Sequence, residues 1–306
     1  MLVGVLAEDG EVLHRNVVPS TGLDQDGVLD VLEEQLRAAI AQRPAVAAIG
    51  LGIPCTIDRG RGLCISAVNL PLRDAPVRDI LAERLGLPTA VDNDGNLAAL
   101  AEHRRGAAVG ARNVVLLTIG TGIGGGLIVD GQPFRGSRGA GAELGHIVVD
   151  IDGTRCQGSC PNRGCIESIA SGTAIATEAA RLAREEPDSA LGRAAAGGEV
   201  DARLVTALAE TGDAPAIEIL ATIGRRLGAA LSGLANVFDP DVMLLGGGAM
   251  AAGELILGPA REEFRARALP PQNTTPIELA RFGADAGMVG AAIMAMEELT
   301  ATGAPG

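Results

Sequence analysis

Apolar and polar positions recur with two different periods along this chain, and the changes of period mark its elements. At the start, LVGVLA, EDG and EVLHRNVV read as two strands joined by a hairpin, because an Asp-Gly turn supplies the positive φ that a tight reversal needs. Val28, Leu32, Leu36 and Ile40 fall at helical spacing and predict a helix over about 25–41. A buried strand over 46–53 stops at Pro54, a short helix over 77–85 is closed by Gly86 and Pro88, and a strand spans 89–91. Asp92, Asn93 and Asp94 then form a cap-rich entry to a helix that runs from 93 to 105.

The order restarts after that helix. An apolar strand over 113–119, the glycine turn GTGIGGG, a strand over 127–129 and a second hairpin turn at Asp130-Gly131 repeat the opening unit. In this second copy a strand and a glycine loop precede the hairpin, whereas in the first the hairpin begins at Met1. The expectation is that a first strand and its loop are missing from the opening copy; the alternative is that this copy has diverged. Beyond lie an irregular Cys-rich stretch to Cys165 and helices over about 167–184 and 215–236. A buried strand at 242–245, the glycines 246–248, a helix to 269, a strand over 277–282 and a terminal helix over 285–299 follow, with 211–214 and 302–306 read as linker and tail. Alternation of strands and helices places the chain in the α/β class, and 306 residues suit two lobes.

Composition narrows the chemistry. The net charge of −13 repels phosphate backbones and anionic lipid, so neither nucleic acid nor membrane is expected as a partner. All 25 basic residues are arginine, which removes every mechanism built on a lysine, from Schiff bases to Walker-type phosphate loops. With no Trp or Tyr and four Phe, a polar ligand has to be held by hydrogen bonds rather than by stacking. No secretory signal is read at the N-terminus, and the longest uncharged stretch, 114–129, carries five glycines and two threonines, so the cytoplasm is the expected compartment.

Four groups of residues carry candidate chemistry. Gly120 to Gly125 satisfies GxGxxG, yet strand and hairpin rather than a helix follow it, which argues against a dinucleotide site. The turn could instead close backbone N–H groups on phosphate, with Thr118 and Thr121 adding hydroxyls, or it could mark a bulge or a crowded backbone crossing. Asp94, at a strand-to-helix junction, is a candidate general base favoured as the anion by the helix N-terminus; an ordinary N-cap box is the plainer reading. His146, Cys156, Cys160 and Cys165 supply four ligands for a closed, structural Zn²⁺ site, with unbound reduced thiols as the alternative; Cys55 and Cys64 read as packing or surface thiols. Glu143 and Glu167 flank those ligands, so a metal would fix them to accept hydrogen bonds from a polyol, unless they are solvated surface charges.

Together these stretches, quoted as VDNDGNLAALAEHRRGAA, LTIGTGIGGGLIVDG, GAELGHIVVD, CPNRGCIESIASG and LLGGGAM, resemble the ROK family of sugar kinases and repressors along nearly the whole chain. The resemblance implies a two-lobed actin-like, ribonuclease H-like fold, with residues 1–107 as the small lobe, the terminal helix 285–300 packing back on it, and 108–284 as the large lobe. It implies Asp94 as the base that deprotonates the sugar's primary hydroxyl, and Asn69, Asn93, Glu143, His146 and Glu167 as hydroxyl ligands. ATP, carried with Mg²⁺, would meet Thr118, Ile119, Gly120, Thr121, Gly122, Ile123, Gly124, Gly125 and Gly126 through its phosphates and Gly247 and Gly248 through its adenosine. Zn²⁺ would sit on His146 and the three cysteines, and a homodimer would match family habit. Three departures are visible: no DxGGTK-like loop precedes Met1, three residues separate Cys156 from Cys160 where the family commonly has one, and no aromatic residue follows NLP.

The expected function is ATP-dependent phosphorylation of a hexose at its primary hydroxyl, glucokinase first and an N-acetylhexosamine or other hexose kinase second, with activity weakened if the first phosphate loop is absent. A sugar-responsive repressor and a non-catalytic sugar-binding relic are the readings from other classes.

Overall fold

The computed structural model describes residues 1–67, 70–198 and 200–301. Strands β1 (Leu2–Leu6) and β2 (Val12–Val17) form the opening hairpin. Helix α1 (Gln25–Gln42) follows, capped by Asp24, whose carboxylate accepts the Gly27 N–H at 2.9 Å. Next come β3 (Ile49–Ile53), a three-stranded antiparallel sheet of β4 (Cys55–Asp58), β5 (Leu63–Ala67) and β6 (Arg73–Ala75), and helix α2 (Val77–Leu85). Gly86 ends α2 in the left-handed region, as a C-terminal glycine should. Strand β7 (Thr89–Asn93) runs parallel to β3 and leads directly into α3 (Asp94–Arg105).

The second half builds a five-stranded sheet from β8 (Val114–Ile119), β9 (Ile123–Val129), β10 (Gln132–Pro133), β11 (Val242–Gly246) and β12 (Ile277–Leu279), in the order β10-β9-β8-β11-β12. Asp130 and Gly131 both have positive φ at the β9–β10 turn, the conformation the Asp-Gly pair predicts. Between β10 and β11 lie α4 (Ile166–Ala170), α5 (Gly172–Glu185), α6 (Ala190–Ala196), α7 (Ala202–Glu210) and α8 (Ala214–Phe238). Helix α9 (Glu254–Arg267) precedes β12, and α10 (Ala286–Ala301) closes the chain.

Two buried clusters divide the apolar interior. One gathers Val28, Leu29, Ile49, Leu51, Leu81 and Val91 in the first hundred residues, and the larger joins Leu117, Leu127, Ile175, Leu220, Leu245 and Phe264. Helices α3 and α10 form the seam between them, with Leu97, Leu100, Val289 and Met294 buried against each other. The seam is tight because glycines stand where a Cβ would strike backbone: Gly290 lies against the Leu97 carbonyl and Gly50 of β3 against that of Ala291. Among the described residues no helix is long and apolar enough to cross a membrane.

The structure corrects several expectations. The predicted helix over 167–184 is two helices, broken where Ser171 leaves helical geometry to cap α5 through its hydroxyl, which accepts the Ala174 N–H at 3.2 Å. Strands β4 to β6 and helices α6 and α7 were not expected. Cys55 and Cys64 are not free thiols: the β4–β5 pairing brings them together as a disulfide with an S–S distance of 2.02 Å. The glycine turn is also shorter than the run of glycines suggests, because Ile123 to Gly126 belong to β9 and only 120–122 form the reversal.

Candidate active site

The site is assembled where β7 ends and α3 begins. Asn93 spends its side-chain oxygen as the N-cap of α3, accepting the N–H groups of Gly95 at 2.8 Å and Asn96 at 3.2 Å, while its amide nitrogen lies 3.4 Å from the Cys55 carbonyl. That leaves Asp94, the first helical residue, with an accessible carboxylate at the wall of a cavity lined mainly by β1, α1, β3 and α10. The helix N-terminus alone would lower its pKa, and the Gly95 N–H at 3.0 Å does act in that direction. Desolvation by the surrounding protein is the larger effect and pushes the carboxyl above its ordinary value.

Thr118, at the end of β8, and Gly247, after β11, line the same cavity as Asp94 and Gly95. Turn 120–122 follows β8, and its carbonyls point back into the protein: Gly120 O accepts the Gly172 N–H at 2.7 Å, and Thr121 O accepts the Thr173 hydroxyl at 2.8 Å and the Gln157 amide at 3.3 Å. The amides of Thr121 and Gly122 have no protein acceptor among the described residues, which is the arrangement an anion requires. Not all of the expected phosphate residues reach the cleft. Ile119, Ile123, Gly125 and Gly126 are buried, because α3 lies flat on β9 and the Gly95 carbonyl occupies the space a Cβ at Gly126 would take. The crowded-crossing reading therefore accounts for the last glycines of the motif, and the open turn for the first. Gly247 has φ +88° and is pressed on the Ile119 backbone, whereas Gly248 has open space around it.

The Cys-rich stretch folds over this turn. A short bridge between Arg155 and Arg163, and another between Val148 and Cys165, bring His146, Cys156, Cys160 and Cys165 together with their ligand atoms all within 4.8 Å of one another. Cys156 Sγ lies 3.5 Å from His146 Nδ1, and Cys160 Sγ 3.9 Å from Cys165 Sγ. A tetrahedral zinc with its usual bond lengths needs neighbouring ligands at about 3.5–3.8 Å, so this donor set, Cys156 included, is compatible with Zn²⁺. Burial in this cluster pushes the thiols of Cys156 and Cys165 up, which a bound cation would reverse.

The carboxylates beside the cluster are drawn into the same region. Glu167 accepts the Ile123 N–H at 2.8 Å and approaches Cys156 Sγ at 3.5 Å, linking the cysteine segment to the glycine turn. Glu143 has its carboxyl raised, first by desolvation; His146 opposes the shift, and the nearby charges of Asp94 and Glu167 add to it. Asp94, Glu143, His146 and Glu167 are thus electrostatic neighbours, while Asn69 lies outside the described residues.

One part of the site escaped sequence reasoning. Asp92 is 2% exposed, and its carboxylate accepts Arg135 Nε at 2.6 Å, the Asn93 N–H at 2.8 Å and the Asn96 amide at 3.2 Å. Arg135 follows β10, so this buried pair ties the loop that leads to Glu143 to the base of α3. Nothing local marks it, since 43 residues separate the partners.

The profile of the ROK family matches residues 1–298. A glucokinase of Halalkalibacterium halodurans is 36% identical over 295 residues, covering 93% of this chain and 88% of that protein. The structure superposes on a ROK family glucokinase from Streptomyces griseus in complex with glucose and AMPPNP, with TM-score 0.84 and 34% identity over 97% of this chain and 96% of that one. A ROK family transcriptional regulator also matches, at TM-score 0.86 and 29% identity, but this chain covers 74% of its length.

Proposed function

Because this chain belongs to the ROK family, we propose that it is an ATP-dependent hexokinase whose first substrate is glucose, with an N-acetylhexosamine or another hexose as the second choice. The observation that carries the reading is the meeting of Asp94 with Thr118 and Gly247 on the wall of one cavity. A carboxylate there can take the proton from a primary hydroxyl as its oxygen bonds to the γ-phosphorus and the bond from that phosphorus to the leaving ADP oxygen breaks. Asn93, Glu143, His146 and Glu167 would hold the hexose, with Asn69 as a further hydroxyl ligand. If Nδ1 of His146 serves the metal, Nε2 is left for a hydroxyl. MgATP is the second substrate, its phosphates on turn 120–122 with Thr118 and Gly124, its adenosine beside Gly247 and Gly248. Zn²⁺, when bound by His146, Cys156, Cys160 and Cys165, supplies structure and no open coordination position for chemistry.

The finer parts of the reading are a cytoplasmic enzyme, a homodimer and a lobe boundary near residue 107. The test is a coupled assay of ADP release with glucose, mannose and N-acetylmannosamine. Asp94→Asn should keep hexose binding by calorimetry and lose at least about a hundredfold in kcat; unchanged turnover in that variant removes the proposal.

A further inference from the structure

The carbonyls of Gly120 and Thr121 are anchored from one neighbouring stretch, which runs from Gln157 into α5. The Gly172 N–H donates to the Gly120 carbonyl at 2.7 Å, and the Thr121 carbonyl accepts the Thr173 hydroxyl at 2.8 Å, the Gln157 amide at 3.3 Å and the Thr173 N–H at 3.4 Å. In a trans peptide group the C=O and the following N–H point in opposite directions, and the one cis bond among the described residues is Pro270–Pro271. A carbonyl drawn toward α5 therefore sends the next amide away from it. The contact from Gly172 aims the Thr121 N–H, and the contacts on the Thr121 carbonyl aim the Gly122 N–H.

The donors to Thr121 come from two places. Thr173 belongs to the first turn of α5, whereas Gln157 lies in the loop between Cys156 and Cys160, where its own carbonyl accepts the Cys160 N–H at 3.3 Å. A carbonyl can only accept, so the nitrogen of the Gln157 side chain, and not its oxygen, has to face Thr121. That nitrogen carries two hydrogens, and the second reaches Ser171 Oγ at 3.0 Å. Ser171 is fully buried, and its hydroxyl also accepts the Ala174 N–H as the cap of α5. One half-buried amide thus bridges the turn and the cap of the helix that holds the turn.

We propose that Gln157 is a positioning residue for anion binding at turn 120–122: by keeping the Thr121 carbonyl turned toward α5, it keeps the Gly122 N–H turned toward a phosphate group. The effect passes through the peptide group, so Gln157 acts without touching the ligand. Bonding to the carbonyl also polarises that peptide and strengthens its N–H as a donor. That the anion is the phosphate chain of a nucleotide rests on the kinase reading; the aim of the two amides does not.

Gln157→Met keeps the length of the side chain and removes the donor. Calorimetry of the full chain with AMPPNP and Mg²⁺, with tripolyphosphate and with glucose, run beside the assay of ADP release, separates the outcomes. The variant should bind both phosphate probes about three- to tenfold more weakly and show a like rise in KM for ATP, with the Kd for glucose within about twofold of the parent. Since the Thr173 hydroxyl shares the carbonyl, Gln157→Met combined with Thr173→Val should lose more than the product of the two single losses. Parent-like affinity for both phosphate probes in both backgrounds overturns the proposal. Glucose weakened as much as the phosphates also overturns it, since Gln157 would then hold the fold and not the turn. A parent chain that binds neither phosphate probe overturns it as well. A parent that binds tripolyphosphate but releases no ADP with glucose, mannose or N-acetylmannosamine removes the kinase reading alone, and weaker tripolyphosphate binding by Gln157→Met then still upholds the role of Gln157.

Discussion

Asp94 is held between two opposed influences, the helix N-terminus and the Gly95 N–H that favour its anion and the desolvation that disfavours it, and desolvation is the larger. A base whose pKa is raised toward the working pH has more drive to take a proton, which is what transfer from a sugar hydroxyl asks of it. The pH dependence has a definite sign. Catalysis needs the ionised carboxylate, so kcat/KM should rise with pH along a limb whose midpoint lies above the ordinary 3.8; a midpoint at or below that value contradicts the role. Stability runs the other way. Since the native pKa exceeds the unfolded one, the folded state binds the extra proton, and stability falls as pH rises from 3.8 through the raised native value. Asp94→Asn removes that penalty, so thermal unfolding at neutral pH should show the variant at least as stable as the parent while its kcat is lost. A variant that is both inactive and destabilised would point to a structural residue instead.

The glycines of GTGIGGG do two jobs that the string itself does not separate. Strand, turn and hairpin were legible because Asn113 to Val129 changes from an apolar run to turn chemistry and back, but which glycines face a ligand depends on α3, whose Gly95 carbonyl fills the space beside Gly126. Gly126→Ala should therefore cost about 1–3 kcal/mol in urea unfolding, with a fall in kcat as α3 and Asp94 are displaced. Gly248→Ala meets no neighbour, so it should leave stability within about 0.5 kcal/mol while raising KM for ATP. The pair Asp92–Arg135 was illegible for a different reason: it is a contact between a strand end and a distant loop, and no periodicity encodes it. Breaking it with Arg135→Met removes the closer cation and leaves the buried carboxylate only Arg59, whose Nε lies 3.9 Å away, and should cost about 1–3 kcal/mol. Adding Asp92→Asn should recover part of that loss, and a strictly additive double variant would show that the pair is not coupled. Likewise Cys55 and Cys64 carried no sign of their disulfide, since the strands that align them are four and five residues long and below the reach of hydrophobic patterning.

At the scale of the whole molecule, two half-sheets with related strand order meet along α3 and α10, and the candidate site opens where that seam reaches the ends of β7 and β8. The cysteine segment belongs to the second half but bends toward the first, bringing His146 and Glu143 near Asp94 and laying Glu167 on the glycine turn. Its own apolar content is small, with Ile147, Val148, Val149 and Ile151 all exposed, so the four-ligand cluster is what can hold it in place. Removing the metal should then act unequally on the two substrates. If the cluster binds zinc, native mass spectrometry should show one equivalent, and chelation or Cys160→Ser should remove it, lower Tm and raise KM for the hexose on the order of tenfold or more. The ATP analogue should lose less affinity by calorimetry, because Gly247 and Gly248, proposed to meet its adenosine, follow β11 and not the cysteine segment. Equal losses for hexose and nucleotide would mean that the metal stabilises the lobe as a whole and not the wall that faces the sugar.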